Sequence, residues 1–151
     1  MTISVELETS IARPVADVFA ALVDVERYPT WLAASGITGV ELLDAGPLHA
    51  GSRMRISQAV AGRSTVLDGI VTVLVPDAGF GLRGKDREGI SIQIDAALAP
   101  DDHATRLRWS LRIGLPLRYR LFESMVAPQA RHAAAVDLEA FRRRLETAIA
   151  D

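Results

Sequence analysis

Residues 3–11 alternate, with Ile3, Val5 and Leu7 on one side and Ser4, Glu6 and Glu8 on the other, the period of two that a strand with one buried face requires. The period then changes. Pro14 suits the first position of a helix, where its missing N–H costs nothing, and Val15, Val18, Phe19 and Leu22 recur at helical spacing, predicting a short amphipathic helix over 14–23. Pro29 disfavours a helical Tyr28, so residues 24–31 read as a break with a second short helix after it, closed by Gly36 and Gly39. Alternation returns at Val40/Leu42 and Met54/Ile56, on either side of the turn-rich 44–51, and continues through strands over 64–75, 78–84, 90–98 and 105–113. The turns between them fall at Ala61-Gly62, Pro76-Asp77, Lys85–Gly89 and Pro100–His103. Ile90/Ile92/Ile94 and Leu107/Trp109/Leu111/Ile113 alternate most cleanly, which implies an antiparallel sheet with one covered face. A hairpin centred on Asp101-Asp102 would set Asp95 opposite Arg108.

From Leu117 to Ala150 the period is helical again. Leu121, Met125, Val136, Phe141 and Leu145 fall on or near one stripe, with Glu139, Arg142–Arg144 and Glu146 on the other side and flank. Pro128 predicts a kink or break near Ala127. A helix of about 30 residues is about 45 Å long, and in one domain only a curved sheet can cover it.

Composition narrows the classes. The 151 residues make a single domain over 1–151. Hydrophobic residues are 49% and aromatic ones only 5%, so the apolar mass is aliphatic, with 23 Ala. Seventeen basic residues against nineteen acidic ones leave no electrostatic footprint for nucleic acid. The absence of Cys excludes disulfides, thiolate nucleophiles and Cys-held zinc. No run approaches a membrane span and the first residues lack a signal-peptide pattern, so the expectation is a cytoplasmic protein with no stable membrane insertion.

Candidate chemistry is sparse. Gly79-Phe-Gly-Leu-Arg-Gly84 is a literal G-x-G-x-x-G, but a turn and a strand follow it where dinucleotide binding needs a helix. His49, His103 and His132 have no nearby His partner and suggest no metal site. His132 reads as solvated, as do Asp101–His103, Arg106, Arg108, Arg112 and Arg142–Arg144. No cofactor is expected.

The segments Ile11-Ala-Arg-Pro-Val-Ala-Asp-Val-Phe19 and Asp24-Val-Glu-Arg-Tyr-Pro-Thr-Trp31, with Gly51–Arg55, Val71–Pro76, Thr105–Trp109 and Asp137–Glu146, resemble the START/polyketide cyclase-like (SRPBCC) superfamily over nearly the whole chain. The resemblance implies an α+β helix-grip fold. Its parts are a curved antiparallel sheet of about seven strands, two short helices after strand 1, and a long C-terminal helix across the concave face. It also implies a cavity between sheet and helix that takes lipids, quinones or polyketides. Strand parity then aims Met54, Ile56 and Gln58, Ile90, Ile92 and Ile94, and Trp109 and Leu111 at that cavity, and the helix would add Leu121, Phe122, Met125 and Gln129. Gln58 is the best polar candidate unless its strand has already bent outward at 59–62. Tyr28 and Trp31 either pack as core or rim the entrance. The expected function is binding or transport of a small hydrophobic molecule, without catalysis, by a monomer or homodimer. The alternatives are a cyclase/dehydratase using the same cavity and a chaperone-like interaction protein.

Overall fold

In the computed structural model, which describes residues 2–60 and 62–148, the alternating segments pair into one seven-stranded antiparallel sheet. Its strands are β1 (Thr2–Ile11), β2 (Ile37–Leu42), β3 (Arg53–Val60), β4 (Arg63–Val75), β5 (Gly79–Lys85), β6 (Ser91–Asp101) and β7 (Ala104–Gly114), in the spatial order β1-β7-β6-β5-β4-β3-β2. Helix α1 (Val15–Val23) and a 3-10 turn (Val25–Thr30) follow β1, and a second 3-10 turn (Leu117–Phe122) leads into α2 (Glu123–Thr147). This is the α+β helix-grip arrangement: short helices after β1 and a long helix packed on the sheet. One side of the sheet buries Val5, Met54, Ile56, Leu67, Leu82, Ile94, Leu107 and Trp109, while Glu6, Arg55, Asp68, Arg83 and Arg108 point to solvent.

Three local expectations are corrected. The second short helix does not follow Pro29 but contains it: residues 25–30 form the 3-10 turn, and the Tyr28 hydroxyl, itself buried, donates to Leu22 O at 2.5 Å. The β6–β7 hairpin turns one position later than centring on Asp101-Asp102 implied. Asp101 pairs with Ala104 and Asp102 takes the left-handed conformation at φ 56, so Asp95 faces Ser110 and Arg108 faces Ala97. A shift of two in register preserves which face each side chain occupies, so the parity survives although the Asp95–Arg108 pair does not. Asp95 instead accepts from Gln93, and Arg106 and Arg108 reach Glu8 on β1.

The third correction concerns the C-terminal segment. Leu117–Phe122 is a 3-10 turn, α2 begins only at Glu123, and Pro128 sits inside the helix with no break there. The large residues of the expected stripe split: Phe141 is buried, but Leu121, Met125 and Val136 are exposed. The inward side carries Ala130, Ala133, Ala134, Asp137 and Leu138. A small-residue face leaves space between helix and sheet that a stripe of Leu and Met would fill. Ala61, in the expected β3–β4 turn, and Ala150, the expected end of the helix, lie outside the described residues.

An aromatic cluster ties the core together beside that space. Trp31 meets Tyr28, Trp109 and Phe141 at ring-centroid distances of 5.1, 5.6 and 4.4 Å, joining the 3-10 turn, the sheet and α2. The edge-to-face geometry of the first two contacts suits the ring quadrupoles. Across the sheet, Gly69 on β4 pairs with Gly84 on β5. A Cβ on Gly69 would lie 2.8 Å from Met54 Cγ and 3.0 Å from Ile56 Cδ1, so the missing side chains are what let Met54 and Ile56 lie flat on the sheet. The G-x-G-x-x-G run is therefore strand β5, and its last glycine serves packing.

Candidate functional site: a cavity between sheet and helix

The strands that alternate most cleanly supply one wall of a cavity of about 390 Å³. Ile92 and Ile94 on β6 and Trp109, Leu111 and Ile113 on β7 line it from the sheet, because every second residue of these neighbouring strands faces the same way. Val126, Gln129, Ala130, Ala133 and Ala134 line it from α2, one or two to each turn of helix. The volume lies within the roughly 300–1,000 Å³ usual for small-molecule sites, and the walls are mainly aliphatic, with one indole and polar groups confined to a few positions.

A chain of polar contacts closes one side. Asp137 on α2 is buried. Its Oδ1 accepts the Ala34 N–H at 2.9 Å, and its Oδ2 accepts the Ser35 N–H at 3.1 Å and the Ser35 Oγ–H at 2.5 Å. The Ser35 carbonyl in turn accepts from Gln58 Nε2 on β3 at 3.1 Å. Helix, turn and sheet are thereby tied together along the cavity wall. Burial raises the pKa of Asp137 above the ordinary value, opposed by the hydrogen bonds from Ser35 and Ala34. With both oxygens accepting from the protein, this carboxyl acts first as a structural tie.

A second polar cluster also borders the cavity. Arg63, where β4 begins, pairs with Glu88 in the β5–β6 turn at 2.9 Å. The Tyr119 hydroxyl donates to the same carboxylate at 2.7 Å, and Arg118 donates to the Glu88 carbonyl. Asp86 Oδ1 accepts from the backbone N–H groups of Glu88 and Ile90, both at 2.9 Å, which fixes the turn that carries Glu88. The Tyr119 hydroxyl and the Arg63 guanidinium hold Glu88 below the usual carboxylate range. Arg63, Asp86 and Glu88 line the cavity beside the half-exposed Val60, so this cluster latches three separate segments around its mouth.

Of the residues aimed at the cavity by sequence, Gln58, Ile92, Ile94, Trp109, Leu111 and Gln129 line it, as does Ile90. Met54 and Ile56 share the inward face but are sealed in the core at 0% and 2% exposure against the Gly69–Gly84 pair. Tyr28 and Trp31 are likewise core, held by the aromatic cluster and the bond to Leu22. Phe122 and Met125 are turned outward, because the chain reaches α2 through a 3-10 turn whose inward contact is Tyr119. His132 lines a shallow outer cleft with Pro128 and Val136, not the cavity. The sequence reading missed Asp137, Ser35, Arg63 and Glu88. Inward parity running on past Gln58 through Val60, and across the hairpin to Arg63, was the one available signal for Arg63. Among the described residues no group of His, Asp and Glu is arranged to hold a metal ion, and no helix is long and apolar enough to cross a membrane.

Residues 2–146 match the model of a family described as polyketide cyclase / dehydrase and lipid transport. A comparison with curated proteins finds no match. Among solved structures the chain is similar to the ZhuI aromatase/cyclase from Streptomyces sp. R1128, with a TM-score of 0.79 and 17% identity over 99% of this chain and 96% of that one. It is also similar to a START superfamily protein from Mycobacterium smegmatis, with a TM-score of 0.76 and 18% identity over 95% and 97%. Ara h 8.0201 superposes with a TM-score of 0.70 and 14% identity over 97% and 99%. At these identities the likeness concerns the fold.

Proposed function

Because the chain belongs to the polyketide cyclase / dehydrase and lipid transport family, we propose that the cavity beneath α2 binds a small hydrophobic molecule and carries it unchanged. The observation that supports this reading is the cavity's lining: isoleucine, leucine and one tryptophan from the sheet against alanine and valine from the helix. Burying an apolar ligand against such walls yields about 25 cal/mol per Å². The polar wall groups are engaged with one another, Asp137 with Ser35 and Ala34 and Glu88 with Arg63 and Tyr119. Gln58 and Gln129 supply amides to orient a single polar end of the cargo, and aliphatic walls favour flexible or aliphatic cargo over a stacked polyaromatic.

Native mass spectrometry of the purified protein, followed by a panel of fatty acids, quinones and polyketide-like aromatics, tests the reading. One apolar molecule retained per chain and recovered chemically unchanged is the expected result. Conversion of a polyketide-like substrate, abolished in Asp137→Asn, would replace it with the cyclase/dehydratase reading, for which Asp137 is the proton donor to test.

A further inference from the structure

The segment that leads into α2 is inside out. Leu117, Leu121, Phe122 and Met125 are 76%, 87%, 52% and 62% exposed, while Tyr119 between them turns inward to Glu88. Four large apolar side chains within nine residues make a patch that water does not favour and that none of the described residues covers. Charge indicates what does. Arg118 and Arg120 stand exposed among them, and Glu123 is the only acidic residue from 115 to 127. Among the described residues no carboxylate lies within ion-pair range of Arg120. The protein as a whole carries a formal charge of −2, so this positive, apolar surface is a local feature.

We infer that the outer face of residues 117–125 docks on an anionic lipid bilayer, its leucine, phenylalanine and methionine side chains entering the headgroup boundary and its arginines meeting lipid phosphates. Apolar side chains joined to cations are what interfacial binding uses. A second copy suits the patch less well: a twofold contact sets a patch on itself, which would bring these arginines together. The docked segment is continuous with the cavity wall, since Leu115 before it and Val126 after it both line the cavity and Tyr119 is bonded to the Glu88 latch. On a membrane the mouth would thus lie at the lipid surface, where an apolar cargo can pass without crossing water.

Vesicle flotation tests this without any cargo, using the wild-type chain with phosphatidylcholine vesicles and with vesicles containing about one third phosphatidylglycerol. The wild type is expected to float with the anionic vesicles and not with the neutral ones. Leu121→Asp/Met125→Asp should weaken that binding at least about tenfold, and Arg120→Glu about five-fold or more, both melting at the wild-type temperature because the altered side chains are exposed. Absence of binding to anionic vesicles, or binding undiminished by Leu121→Asp/Met125→Asp, overturns the inference. So does a wild-type dimer in light scattering that these two substitutions convert to monomer, because the patch would then be covered by a second copy.

Discussion

Ser35 and Asp137, 102 residues apart in the chain, are joined by two hydrogen bonds: the Ser35 N–H and Oγ–H both donate to Asp137 Oδ2, at 3.1 and 2.5 Å. With the Ala34 N–H on Oδ1, this carboxyl satisfies two backbone donors that no strand or helix pairs. Asp137→Ala orphans both and is expected to cost about 2–4 kcal/mol in urea unfolding.

Asp137→Asn separates charge from shape. Burial holds the folded-state pKa of Asp137 above the ordinary 3.8, so between those two values the folded chain keeps a proton that the unfolded chain has lost. The stability this group contributes is complete below about pH 3.8 and declines as the pH rises through the folded value. Asn does not titrate. The stability difference between wild type and Asp137→Asn, followed by unfolding across acidic and neutral pH, should therefore shift against the wild type as pH rises. A difference that is flat or moves the other way contradicts the assignment.

Gly69→Ala offers a test of the core. Alanine in a strand is ordinarily the better residue by about 0.5–1 kcal/mol. Here the new Cβ would sit 2.8 Å from Cγ of Met54, which is 0% exposed and has nowhere to move. The expected result is a loss of about 1–3 kcal/mol, read by thermal unfolding, with a smaller loss for Gly84→Ala, whose nearest neighbour is Leu67 Cβ at 3.3 Å.

The latch at the mouth is exposed, and exposed ion pairs add little stability. Glu88→Gln should leave the melting temperature unchanged yet admit the neutral dye phenylnaphthylamine several-fold faster in stopped-flow fluorescence. In the wild type the latch persists above the lowered Glu88 pKa and loosens as pH falls through it, so dye entry should quicken in acid. In Glu88→Gln it should not depend on pH in that range.

Strands were legible because side-chain parity is a local property. Even where the β6–β7 register differs by two, Ile92, Ile94, Trp109 and Leu111 keep their face. Helix α2 was harder to read. The large apolar residues Met125 and Val136, with Leu121 in the turn before it, suggested the buried side, whereas the inward face is the alanine run at 130, 133 and 134, and a helix bordering a cavity need not carry its bulk inward. The polar half of the site was not legible at all. Asp137 reads as one more acid on a helix until a turn some hundred residues away supplies its donors. Arg63, Glu88 and Tyr119 come from three segments that only the folded sheet brings together.

The most direct test of the account is an equilibrium titration of wild type and Ala130→Phe with phenylnaphthylamine. Ala130 faces the cavity of about 390 Å³ from α2, and a phenyl ring there occupies space the ligand needs. The account predicts saturable binding of one dye per wild-type chain, and binding at least about tenfold weaker in Ala130→Phe, which should melt no lower than the wild type. Wild-type protein that binds no dye, or a variant that binds it as tightly, would contradict it.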